Sequence, residues 1–273
     1  MDLDLDLGAA AGSLLVSLVG GIATVVLNRP ERHNAINLAM WQALPPLMAA
    51  LDRDDVDAVV FRGPAGGPFS AGADISEFTT LRRDPQDAER YGQAVAAGEG
   101  AITGYPGPTV AMVEGFAIGG GTQLALACDL RLCEAGSRFG ITPAKLGIVY
   151  GLASTARLVD AVGRSWASWI LLTGDLVDAP TALRIGLVHE VCADLEGRTS
   201  ELAATLAARA RVSVRGGKAL IGTVAEGQRT EDVEVRAHYT ASLHGPEYAE
   251  GVAAFLAKRA PDFRAARTPL TEG

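Results

Sequence analysis

The sequence predicts an α/β core followed by a helical C-terminal region, and three observations carry that prediction. Short apolar runs of strand length recur between segments of helical spacing as far as about residue 200. Beyond that point the pattern is almost purely helical, with Tyr248, Val252, Phe255 and Leu256 at i, i+4, i+7 and i+8. The composition, 48% hydrophobic and 21% charged, is that of a chain able to bury a sizeable core. Strands alternating with helices give layered α/β architectures. The expected divisions are a flexible lead-in over 1–12, the α/β core over 13–200, and a helical region over 201–273 whose apolar stripe is consistent with a subunit interface.

Taken in order, the runs at 14–18 and 22–27 flank Gly20-Gly21 and read as a hairpin. Residues 34–51 have helical spacing, with Met40, Leu44, Leu47 and Met48 on one stripe. A buried strand at 58–61 ends on the turn signal Arg62-Gly63-Pro64. The stretch 64–83 reads as a loop leading into a short helix, and 84–102 as a polar helix. Residues 109–113 form a strand that runs into Gly119-Gly120-Gly121 and an apolar helix. Strands at 129–133 and 187–191 and a helix at 179–185 complete the core.

A net charge of −8 argues against a general nucleic-acid binder, yet local Arg and Lys or a helix N-terminus can still hold an anion. Cys128, Cys133 and Cys192 read as buried reduced thiols. Neither they nor His33, His189, His238 and His244 have metal-ligand spacing, so no metal is expected. The acidic start, MDLDLDLGAAAG, lacks the basic region of a signal peptide, and Gly, Pro or charge interrupts every apolar stretch short of membrane-spanning length. The expectation is a cytoplasmic protein without a membrane partner.

Two segments point to chemistry. Phe69-Ser70-Ala71-Gly72-Ala73-Asp74-Ile75 is small-residue backbone that can approach a ligand with free N–H groups. In Val113-Glu114-Gly115-Phe116-Ala117-Ile118-Gly119-Gly120-Gly121-Thr122-Gln123-Leu124, a strand and a Gly triplet precede a helix, leaving N–H donors at its positive end. Such donors suit an anion or a developing oxyanion.

Together with LNRPERHNAIN upstream, these segments resemble the enoyl-CoA hydratase/isomerase (crotonase) superfamily. Further matches are Arg138-Phe139-Gly140, Leu146-Gly147, Leu172-Thr173-Gly174-Asp175, Gly186-Leu187-Val188 and the run from Glu250 to Leu256, so the resemblance spans about residues 14–264. It implies a crotonase-like spiral of ββα units, assembly as a homotrimer or homohexamer, an acyl-CoA thioester as partner, and no cofactor beyond the coenzyme A of the substrate. It assigns an oxyanion hole to the N–H groups of Ala73 and Gly120. It places Arg29, Arg32, His33, Ala71, Asp74 and Ile75, with Phe255 and Lys258 of the last helices, around the coenzyme. From the residues alone, Asp74 reads rather as a loop-fixing carboxylate that accepts backbone N–H bonds.

Hydratases of this superfamily use two glutamates, and at those positions stand Gln123 and Pro143. An amide cannot take up a proton near neutral pH, and a proline side chain can neither hold nor pass one. Hydration by the two-carboxylate route is therefore disfavoured. Thr142-Pro143-Ala144-Lys145-Leu146-Gly147-Ile148-Val149-Tyr150 resembles the methylmalonyl-CoA decarboxylase branch, in which Tyr150 would lie near the acyl group. The readings left open are decarboxylation, thioester hydrolysis, isomerisation, or acyl-CoA binding without turnover. For Tyr150 the plain alternative is a buried ring with a satisfied hydroxyl.

Overall fold

The computed structural model describes residues 5–267. Strands β1 (Leu14–Val19) and β2 (Ile22–Leu27) form the expected hairpin, in register from Leu14–Leu27 to Val19–Ile22. Its two-residue loop needs positive φ at both positions, and Gly20 and Gly21 supply φ +60° and +86°. Helix α1 (Leu38–Leu51) follows, then β3 (Ala58–Arg62), the short α2 (Phe78–Leu81) and the long α3 (Pro85–Thr103). Next come β4 (Thr109–Val113), β5 (Phe116–Ile118), α4 (Gly120–Ala127), β6 (Leu130–Glu134) and β7 (Arg138–Gly140). Helix α5 (Leu152–Thr173) is broken at Gly163, and β8 (Val177–Asp178), α6 (Ala179–Arg184) and β9 (Glu190–Cys192) close the core. Helices α7 (Leu195–Ala207), α8 (Arg211–Ala225), α9 (Val233–His244), α10 (Pro246–Leu256) and α11 (Phe263–Arg267) form the helical region.

The strands make two layers. The large sheet runs β1-β2-β3-β4-β6-β9 and is parallel from β2 onward; the small one runs β5-β7-β8. Each core strand of the large sheet is followed by a piece of the small one. β4 leads to β5 and α4, β6 leads to β7 and α5, and β3 leads to Ser70, which bridges Ala117. That is the expected spiral of ββα units. The apolar runs are continuous because both faces of a parallel sheet are covered. Val59, Phe61, Ala111 and Val113 enter the main core, whereas Val60, Val110 and Met112 pack with Leu195 and Ala203 of α7. Helix α7 thus belongs to the core although it straddles residue 200.

Three local readings change. The first helix begins at Leu38, not at residue 34, because Asn34 sits at φ +57° with its amide donating to Pro68 O at 2.6 Å. Asn37 caps the helix instead, accepting from Met40 N. The strand expected at 187–191 starts at Glu190, since the N–H groups of Leu187 and Val188 turn back to Ala182 O. In the expected lead-in, Gly8–Ala10 forms a 3-10 turn with Ala10 fully buried; residues 1–4 and 268–273 lie outside the described residues. The three thiols are free and buried, and no described helix is long and apolar enough to cross a membrane.

Candidate active site

The two motif segments meet on one wall of a cavity of about 440 Å³. In the first, hydrogen bonds fasten the backbone on either side of Ala73: Ile36 N donates to Gly72 O at 2.7 Å, and Asp74 N donates to Ile36 O at 3.0 Å. Ser70 Oγ donates to Asn34 O and accepts from Gly72 N. Gly72 lies at φ +100°, where a Cβ would stand 2.6 Å from Ile118 O.

The second segment packs directly on the first, because a Cβ at Gly121 would meet Ser70 at 2.8 Å. Gly119 N donates to Gly140 O, so the chain enters α4 with Gly120 in its first turn, where N–H groups have no helical partner. Neither Ala73 N–H nor Gly120 N–H has an acceptor among the described residues. They are close neighbours: a Cβ at Gly120 would lie 3.3 Å from Ala73 N.

Gln123, one turn into α4, lies on the same cavity, as do Pro143, Tyr150 and Ser154. Its Nε2 donates to Ser154 Oγ at 2.9 Å, and Ser154 Oγ–H donates to the Glu99 carboxylate at 2.9 and 3.0 Å. Arg157 closes the network with an ion pair to the fully buried Glu99. Burial pushes the Glu99 carboxyl up, against the pull of Arg157 and Ser154. An ionised carboxylate only accepts, so Ser154 must donate to it and must accept from Gln123. The amide is thereby fixed, and its Oε1, which accepts nothing among the described residues, is the polar atom left for a ligand.

Tyr150 departs from the satisfied-hydroxyl alternative: its Oη is buried without a partner. Burial, reinforced by Glu99, pushes the phenol well above its usual pKa, which keeps it a neutral donor.

Of the residues expected around the coenzyme, Ala71 and Ile75 line the cavity. Arg29 and Asp74 do not; they brace the loop behind it. Arg29 Nη2 meets Asp74 at 2.8 Å and its Nη1 donates to Ala35 O, while Asp74 also accepts from Ser76. Burial opposes ionisation of Asp74, yet Ser76 and Arg29 hold it below the ordinary carboxylate value. Arg32 and His33 are exposed, and His33 O accepts from Ala71 N. Phe255 and Lys258 lie on and just beyond α10, away from the cavity, and Phe255 is 82% exposed.

The sequence pointed to neither Glu99 nor Arg82, and Ser154 and Arg157 also went unread. Glu99 had a readable signal, a carboxylate on the apolar stripe of α3 with Tyr91, Val95 and Ile102. Arg82 lines the cavity, with its guanidinium 3.8 Å over the Phe78 ring and 4.3 Å over the Tyr91 ring.

Comparison with known proteins agrees with this architecture. The family model described as enoyl-CoA hydratase/isomerase matches residues 18–266. A probable enoyl-CoA hydratase of Mycobacterium leprae is 34% identical over 92% of this chain and 97% of its own length. The human enoyl-CoA hydratase domain-containing protein 2, mitochondrial, is 34% identical over 94% and 91%. The crystal structure of an enoyl-CoA hydratase/carnithine racemase from Magnetospirillum magneticum superposes with TM-score 0.89 at 34% identity, covering 92% of this chain and 95% of that one. The chain is therefore a member of the enoyl-CoA hydratase/isomerase family, within the crotonase superfamily.

Proposed function

We propose that the chain is an enzyme that binds an acyl-CoA thioester and holds the carbonyl oxygen of its enolate on the N–H groups of Ala73 and Gly120. The observation that carries this reading is that the two N–H groups are adjacent, without acceptors among the described residues, and set in backbone fastened by the bonds of Gly72, Asp74 and Gly119. Donors fixed before reaction need no reorganisation as charge develops, and each is worth about 3 kcal/mol in mutational precedents. Coenzyme A enters as part of the substrate, with Arg32 and His33 as its basic contacts and Lys258 reaching it from a neighbouring subunit, since within one chain Lys258 lies away from the cavity. Arg29 and Asp74 serve it indirectly by fixing the loop that carries Ala73.

The residues at positions 123 and 143 disfavour hydration by a carboxylate pair and leave the reaction unassigned. Gln123 offers a fixed carbonyl oxygen that can orient a water or hydroxyl but cannot exchange a proton, and Pro143 offers nothing. The unpartnered Tyr150 hydroxyl favours a second reading, decarboxylation of an acyl-CoA bearing a carboxylate on C2. There the bond from C2 to the carboxylate carbon breaks and CO₂ leaves, the electron pair enters the enolate, and the Tyr150 hydroxyl delivers a proton to C2. Solvent then reprotonates the phenolate.

Calorimetric titration with acyl-CoAs, paired with mass spectrometry of the products, tests both readings. Binding of the thioesters with turnover of at least one is expected. Binding of none overturns the first reading, and binding without any turnover leaves a carrier rather than an enzyme. Unchanged methylmalonyl-CoA overturns the decarboxylase reading.

A further inference from the structure

Four side chains on the cavity wall hold buried polar atoms without a well-formed hydrogen bond among the described residues: Trp41 Nε1, Arg82 Nε, Tyr91 Oη and Tyr150 Oη. Arg82 and Tyr91 act on each other, the phenol oxygen as acceptor, which leaves the Tyr91 O–H unmet. Trp41 is fully buried and Tyr91 is 1% exposed. Indole and guanidinium nitrogens can only donate. The Tyr91 phenol is pushed up to about 12, chiefly by burial, so it too is a protonated donor. The unmet capacity is thus of one kind, and buried polar groups of native proteins are nearly always satisfied.

Arg82 adds charge to that set. It forms no ion pair among the described residues, and burial lowers its pKa below the usual 12.5. The Phe78 and Tyr91 rings recover part of its lost hydration through cation–π contact. The carboxylates that act on the adjoining Tyr91 have other partners: Glu77 accepts from Leu38 N at 2.9 Å, and Asp74 is held by Arg29 and Ser76. A part-buried cation without a counter-ion is unfavourable unless a ligand supplies one.

We infer that Arg82, with Trp41 and Tyr91, forms an anion subsite within the acyl cavity, so that the preferred substrates are thioesters whose acyl group carries a carboxylate. This rests on the acyl-CoA reading and narrows it. Apolar Phe78 and Val95 would flank the acyl methylenes, and the donors would take the carboxylate oxygens. The same chemistry could come from a phosphate of the coenzyme, and the experiment separates the two sources.

Affinities of the full chain are measured for succinyl- and glutaryl-CoA, for butyryl- and hexanoyl-CoA, and for free coenzyme A, with wild type, Arg82→Met, Arg82→Lys and Tyr91→Phe. The wild type should bind the carboxylated pair at least roughly tenfold tighter than the neutral pair, the scale of one desolvated charge contact. Arg82→Met should remove that margin by weakening the carboxylated pair about tenfold more than the neutral pair. Arg82→Lys should retain part of the margin, and Tyr91→Phe should reduce it. Equal affinities in the wild type overturn the inference without recourse to any variant. So does an Arg82→Met loss shared by free coenzyme A, which would place a phosphate at Arg82. If no thioester binds at all, the acyl-CoA reading itself fails.

Discussion

Ala73 owes its free N–H to its neighbours, since Gly72 and Asp74 carry the bonds that fix the loop. Gly72→Ala would bring a Cβ to 2.6 Å from Ile118 O at φ +100°. We expect a loss of about 1–3 kcal/mol in a denaturant titration, with weakened acyl-CoA binding, because Ala73 must shift. Asp74 gives a pH signature. Its folded pKa lies below 3.8, so its contribution is complete above that value and disappears as pH falls through the folded pKa. The melting-temperature gap between wild type and Asp74→Asn should therefore hold near neutral pH and close below pH 3.8. The sequence showed the small residues around Ala73, because close backbone approach leaves a local pattern. It did not show the partner of Asp74, since Arg29 stands 45 positions away. Arg82 was hidden for a related reason: only the fold puts two aromatic rings beneath it.

Helices α3, α4 and α5 converge behind the cavity, and Glu99 ties them together through Ser154, Gln123 and Arg157. Removing one partner of a buried pair leaves the other charge uncompensated. Glu99→Ala should therefore cost about 3–5 kcal/mol in equilibrium unfolding, whereas Glu99→Leu with Arg157→Met should cost much less. Helix positions were legible from periodicity, but the start of α1 was not. Asn34 has the look of a helix cap, and its tertiary bonds to Arg29 N and Pro68 O draw it into the loop.

At the scale of the molecule, the repeated step from large sheet to small sheet brings Ala73 beside Gly120 although 47 residues separate them in the sequence (120 − 73). The α/β class was readable because parallel strands covered on both faces leave unbroken apolar runs. The two-layer staircase was readable only through resemblance, since β5, β7 and β8 span three residues or fewer. On α10, Tyr248, Val252, Phe255 and Leu256 stay 43–82% exposed, an apolar stripe suited to a subunit contact. Light scattering should give three or six times the 28.3 kDa chain mass, and Phe255→Glu should lower it. The central claim is that the oxyanion donors are intact while the acid pair is absent. Product analysis with crotonyl-CoA tests it most directly, on the wild type and on the Gln123→Glu, Pro143→Glu double variant. The account predicts bound but unhydrated thioester for the wild type and 3-hydroxybutyryl-CoA only from the double variant; brisk hydration by the wild type would contradict it.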